Sequence, residues 1–110
     1  MFRDLKWSSS EKKVARRAYD AALQSALSKI MTEFKRRAAA ATTPSDVWQI
    51  EEYLREQRRE IGDVFDYRYS QLPLVFACLI REGHLEESLL DGLSEEKREI
   101  IRSLFSSAAR

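Results

Sequence analysis

The stretch WSSSEKKVARRAYDAALQSALSKIMTEFKRRAAAA, residues 7–41, decides the fold. From Glu11 to Ala41 it has neither Gly nor Pro. Ser8 and Glu11 have the spacing of a capping box, in which each side chain satisfies an orphan N–H at a helix start. Ala15, Tyr19, Leu23, Leu27, Ile30 and Phe34 recur at steps of three and four, which stacks them on one helix face. Ala22 and Ala26 sit beside that stripe and permit close helix approach. Lys13, Arg17, Asp20, Gln24 and Lys35 fall elsewhere, toward water. The pattern predicts one helix of about 31 residues, ~46 Å long at ~1.5 Å per residue. A compact chain of 110 residues has a radius of gyration of only about 13 Å, hence a diameter near ~34 Å. The first helix therefore overhangs its own fold, and the overhang stays apolar as far as Phe34. A second copy is the simplest cover, so a homodimer is expected.

The rest of the chain supplies shorter helices. Thr43 fits an N-cap, Pro44 the first helical position, and Asp46 the positive end of the helix dipole. Val47, Ile50, Leu54 and Ile61 continue at helical spacing. Gly62 weakens this second helix by ~1 kcal/mol relative to Ala, and the pattern fits an end there or a run toward Tyr69. Ser70 is the expected cap of a third helix, with Pro73 tolerated in its first turn. Leu72, Val75, Phe76, Leu79 and Ile80 form its stripe, and Leu74, Ala77 and Cys78 make it apolar nearly all round. It should be the most buried helix. Gly83 is a good terminator. A short helical piece over residues 85–90 follows. Gly92 and Leu93-Ser94-Glu95-Glu96 then start a last helix, with Ile100, Ile101, Leu104 and Phe105 facing the core and fraying expected from Ser106. The fold class is all-α: a single domain over 1–110, with dimerisation helices at 8–69 and a helical head at 70–110. The expected dimer seam is Leu23, Leu27, Ile30, Met31 and Phe34 with Val47, Ile50 and Leu54.

Composition agrees. Ala, Glu, Lys, Leu and Arg make up half the chain, while Gly and Pro supply three and two residues. That argues for long helices and against sandwiches, barrels and parallel sheets. With 44% hydrophobic residues at a net charge of +1 the chain can build a core, which excludes disorder. One cysteine, Cys78, excludes a disulfide framework, and one histidine, His84, makes histidine-based metal binding or catalysis a poor expectation. Residues 1–10 lack the apolar core of a secretory signal, and no apolar run approaches the ~20 residues of a membrane span. A cytoplasmic protein without membrane insertion is the expectation.

No phosphate-binding loop, dinucleotide fingerprint, nucleophile elbow or zinc spacing is present, so no catalytic residue, metal or cofactor is expected. Glu51, Glu52 and Arg55, and Glu56 and Arg59, read as solvated ion pairs on helix faces. Arg36-Arg37 and Arg55, Arg58, Arg59 could form a phosphate-binding stripe, but Glu56 and Glu60 interrupt it and nucleic acid is not expected. Cys78 reads as a plain buried thiol and His84 as a helix C-terminal or surface residue. Trp48 is open between a core-edge residue and an exposed anchor. With Glu51, Glu52 and Arg55 one turn on and Arg58 about three turns on, it has the composition of an interaction hot spot.

Trp48…Leu54…Arg58, Glu60-Ile61, Phe65-Asp66-x-Arg68-x-Ser70, Val75-Phe76-Ala77-x-Leu79 and Glu82-Gly83 together resemble the fluorescence recovery proteins of cyanobacteria. Trp7-Ser8 and the acidic residue opening the first helix are similar to that family's N-terminal stretch. The resemblance implies an all-helical dimer built on the first two helices, with a smaller head. It implies a non-enzymatic regulator that binds the photoactivated orange carotenoid protein, mainly its C-terminal domain. It also implies faster return of that partner to its resting form and restored fluorescence of the phycobilisome, at whose thylakoid-surface location the regulator would act. The family's functional patch falls on Trp48 and Arg58. Its acidic position is Glu52 here, preceded by Glu51 where His is common. Leu74 stands where an aromatic is often found, and Pro73 where an aliphatic is usual. The rival expectation is a helical dimer of the same shape serving as an adaptor for an unrelated protein.

Overall fold

Ser8 opens the first helix as the capping box requires. Its hydroxyl accepts the Glu11 N–H at 3.1 Å, and the Glu11 carboxylate accepts the Ser8 N–H at 3.0 Å. The computed structural model describes Phe2 and residues 4–108, the last two of these by backbone alone. In it α1 runs Ser9–Ala40 without interruption over 32 residues. α2, Pro44–Val64, begins with the expected Thr43 cap, which forms a second capping box with Asp46. It folds back along α1: Arg37 lies over the Tyr53 ring near the turn, and Ala26 and Ile30 share a cleft with Ile61 and Val64 further along.

Gly62 does not stop α2, and the helix does not reach Tyr69. It ends at Val64, with the Phe65 N–H donating to Ile61 O at 2.9 Å. Residues 65–68 form a strap outside the helices. The expected Ser70 cap is not used. α3, Leu72–Arg81, starts after Gln71, whose side chain makes no capping bond. Backbone replaces it, because the Gln71 and Leu72 N–H groups donate to Arg68 O at 2.8 and 3.0 Å. Pro73 lies in the first turn, where its missing N–H costs nothing. Gly83 ends the helix at φ 81°, and the His84 N–H returns to Leu79 O at 2.9 Å. The short piece over 85–90 is a 3₁₀ turn, Glu87–Leu90, followed by α4, Glu95–Ala108. The helix thus passes Ser106, while residues 109 and 110 lie outside the described residues.

Phe76, Leu72, Leu79, Leu90 and Ile101 are fully buried against Ala15, Ala18 and Ala22 of α1. α3 buries six of its ten residues and is the most buried helix, as its composition required. Cys78 is half-buried rather than buried; it lies one turn on from the exposed Leu74 of the same helix. The stripe expected on α1 divides in two. Glu11, Ala15, Ala18, Ala22 and Ala26 are the buried residues, and the small size of Ala15, Ala18 and Ala22 lets the head approach closely. Leu23 is about 100° further round from Ala22, and Leu27, Met31 and Phe34 on that side are exposed by 42%, 57% and 39%.

The molecule measures 53 × 27 × 20 Å, with a radius of gyration of 16.7 Å. That exceeds the ~13 Å of a compact chain of this length. The head reaches along α1 as far as Lys29, and beyond it α2 alone packs on the helix among the described residues. No residue of α2 is buried.

Candidate partner-binding surface

The hairpin tip is fixed by hydrogen bonds at the start of α2. The Asp46 carboxylate accepts the Thr42 N–H at 2.8 Å and the Thr43 N–H at 3.0 Å. These bonds hold its pKa below the usual carboxylate range. Arg37 donates to Glu33, one turn back on α1, at 2.7 Å, and across the hairpin it stacks on the Tyr53 ring, 4.1 Å from its centroid. Glu33 also accepts two bonds from Arg36, and its carboxyl is held at about 2 by the hydrogen bonds from Arg36 and Arg37. Arg36 and Arg37 are therefore engaged within α1, and Arg55 is paired with Glu51. This removes most of the free charge from the arginine stripe considered for nucleic acid.

Two large apolar side chains also stand outside on α2. Val47 is 55% exposed and Trp48 67% exposed. They line a shallow depression with Ala41, Thr42, Thr43 and Pro44. Trp48 is therefore an exposed aromatic and not a core-edge residue. Glu51, Glu52 and Arg58 are exposed on the same helix. Glu51, Leu54, Arg55 and Arg58 line a second depression further along α2, with Arg58 ten residues or ~15 Å from Trp48. Leu74 is 38% exposed on α3 in the head, and it joins neither depression. Of the residues expected in a dimer seam, Leu27, Met31, Phe34 and Val47 are exposed. Leu23, Ile30, Ile50 and Leu54 are half-buried, with Ile30 lining the cleft toward α2.

Two constellations escaped the sequence. Glu11 does more than cap α1. Its carboxylate also accepts the Ser94 N–H at 2.9 Å and pairs with Lys97 at 3.1 Å, with both side chains nearly buried. Burial pushes the carboxyl up, but the N–H bonds from Ser8 and Ser94 and the Lys97 ammonium outweigh it and hold it at about 2. Lys97 also donates to Lys6 O at 2.6 Å. One carboxylate thus joins the starts of α1 and α4 to the N-terminal segment. The Glu at the third position of a capping box was the available signal; a lysine 86 residues away was not. Second, Lys29 of α1 donates to Gly83 O at 2.7 Å and lies 3.3 Å from His84 Nδ1. His84, at the C-terminal end of α3, has its pKa lowered by burial and then by Lys29.

Among the described residues no three His, Cys, Asp or Glu groups converge as a metal site, and no helix is long and apolar enough to cross a membrane. A helical hairpin that leaves Leu27, Met31, Phe34, Val47 and Trp48 exposed among charged residues, set on a small head, defines an all-helical binding protein. The comparisons specify which kind. The profile of the photoprotection regulator fluorescence recovery protein family matches residues 7–105, and the chain belongs to that family. It is 30% identical over 98 residues to the fluorescence recovery protein of Synechocystis, covering 89% of this chain and 90% of that protein. Its fold matches the structure of the Fremyella diplosiphon fluorescence recovery protein at a TM-score of 0.86 and 33% identity, covering 90% of this chain and 97% of that one. The Synechocystis structure matches at 0.86 and 29% identity with the same coverage. The family is regulatory, not enzymatic.

Proposed function

We propose that this chain acts as a homodimer that binds the photoactivated orange carotenoid protein at its C-terminal domain and speeds its return to the resting form. Photoprotective quenching then ends and phycobilisome fluorescence recovers. The carrying observation is the bare face of α2, on which Trp48 is 67% exposed within a family of photoprotection regulators. A side chain so apolar is left in water at a cost, and a partner that covers it recovers that cost. Trp48 would fill an apolar depression of the partner, while Glu52 and Arg58 pair with its polar groups and Leu74 contacts it from the head. Glu51, tied to Arg55, frames the patch. No covalent step is needed, because preferential binding to the relaxing conformation lowers the partner's own barrier.

The dimer reading has its own support. The accessible surface is 7440 Å², against about 6,300 Å² for a compact monomer of 12.8 kDa. The excess, about 1,100 Å², is enough surface for a standard interface, which covers about 800 Å² per partner. Leu27, Met31, Phe34 and Val47 supply an apolar strip along the overhang.

The test is recovery kinetics of photoactivated orange carotenoid protein with and without this chain. Catalytic amounts should accelerate recovery. Arg58→Lys keeps the charge but loses the planar fork, and should slow the accelerated rate; an unchanged rate rules out bidentate pairing by Arg58. The second reading, an adaptor for an unrelated protein, is favoured by the Glu51–Arg55 pair, which occupies one carboxylate of the patch. An intact dimer that leaves recovery unaccelerated selects it.

A further inference from the structure

Residues 12–17, Lys-Lys-Val-Ala-Arg-Arg, place four exposed cations near the start of α1. Lys12 and Arg16 are four residues apart, and so are Lys13 and Arg17, so each pair repels across one turn. All four also lie toward the positive end of the helix dipole. Both features disfavour an isolated helix. The segment is helical because Glu11, Ala15 and Ala18 anchor it from beneath. Local preference and tertiary structure disagree here, as they do where a surface serves something other than stability.

Two of the cations are held in place. The Arg16 guanidinium stacks 3.7 Å from the Tyr67 ring centroid, and the Lys12 ammonium lies 5.5 Å from that of Tyr69. Those rings belong to the region joining α2 to α3, where Tyr67 packs edge-on against Tyr19 of α1 at 4.9 Å. Stacking orders the guanidinium while leaving its edge in water. Six arginines elsewhere, Arg36, Arg37, Arg55, Arg68, Arg98 and Arg102, each hold a carboxylate within 3.0 Å. Arg16 has only a looser contact with Asp20 at 3.6 Å, and Lys12, Lys13 and Arg17 have no ion pair among the described residues.

We infer that this face is a docking surface for an acidic patch on a folded protein, separate from the α2 face. Residues 12–17 and Arg37, at the hairpin tip, lie at least ~30 Å apart along α1. The patch is short, and exposed Asp4 and Asp20 flank it in sequence. A continuous phosphate backbone would meet those carboxylates, whereas a bounded cluster of Asp and Glu would not. A stacked guanidinium whose one carboxylate contact is loose suits a second carboxylate held in its plane.

The probe is a helical peptide with glutamates repeated at i and i+4, titrated against the full chain at several salt concentrations. A DNA duplex and phosphatidylserine vesicles serve as rival ligands. Lys13→Glu with Arg17→Glu is compared with Lys35→Glu with Arg59→Glu, which changes the net charge equally. The first pair should weaken peptide binding about tenfold, with a steep salt dependence, and the second less than about twofold. Equal losses from the two pairs, no peptide binding, or tighter binding to duplex or vesicles would overturn the inference. So would a changed mass by light scattering in Lys13→Glu/Arg17→Glu alone, because the patch would then belong to an interface between copies.

Discussion

Glu11→Gln is the most informative single change in the head. The substitution keeps the shape and removes the charge. In the wild type the carboxylate accepts the Ser8 N–H at 3.0 Å, the Ser94 N–H at 2.9 Å and the Lys97 ammonium at 3.1 and 3.2 Å. An amide has one oxygen for these donors, and its own N–H₂ group faces the others. The Lys97 side chain, 6% exposed, keeps only the Lys6 carbonyl. Breaking a buried pair from one side costs about 3–5 kcal/mol, and we take the lower end because that carbonyl remains. For a domain of this size ~3 kcal/mol lowers Tm by on the order of 10–20 °C. Thermal and urea unfolding by circular dichroism would measure it, at one fixed protein concentration because association also stabilises. The pH dependence separates charge from shape. Glu11 titrates at about 2 when folded, against 4.5 for an ordinary glutamate. Its contribution is therefore present above pH ~4.5 and is lost as the pH falls toward ~2. The gap between wild type and Glu11→Gln should close over that window. A gap below ~0.5 kcal/mol at neutral pH, or one unchanged down to pH ~2, would refute the assignment.

The other expectations concern packing and association. A Cβ at Gly92 would sit 2.6 Å from Val14 Cγ2, so Gly92→Ala should destabilise by about 1–3 kcal/mol, and Val14→Ala should rescue part of it in the same denaturation assay. Gly62 is exposed inside α2 with open space around it; Gly62→Ala should raise the urea midpoint by about 0.5–1 kcal/mol of stability, and a loss would show that the glycine has a packing role. Val47→Glu puts a charge in the proposed seam and should give a monomer by light scattering with helicity retained; a persisting dimer moves the interface elsewhere. The His84 ring should titrate below the ordinary 6.5 by NMR, and Lys29→Met should move the midpoint only part of the way back, since burial is the larger cause.

Much of the architecture was legible because helices are encoded locally. The capping box at Ser8, the N-cap at Thr43, Pro44 and Gly83 act over three or four residues, and all fall where spacing put them. Where start signals were weaker, the reading slipped. Ser70 looked like a cap, yet the Arg68 carbonyl takes both N–H groups that a side chain would have served. Gly62 left open an end there or a run toward Tyr69, and the helix does neither: a one-residue propensity cost does not stop it before Val64. For the surface, helical spacing placed Trp48, Glu52 and Arg58 on one helix without telling whether Trp48 faced in or out. That depends on which side of α2 meets α1, and Tyr53 stacked under Arg37 decides it.

By itself the sequence determined the helix inventory, the length of α1 and hence its overhang, because rise per residue and capping chemistry need no knowledge of neighbours. Family membership was also written in residue spacing. Only the tertiary structure decided which of two stripes on α1 the head covers. The alanines won that side, because small residues let α3 and its neighbours come close. The larger Leu27, Met31 and Phe34 were left with the bare face of α2. The joining of Glu11 to Lys97 was likewise decided by the fold, because burial strengthens a charge pair in a way that no local pattern records.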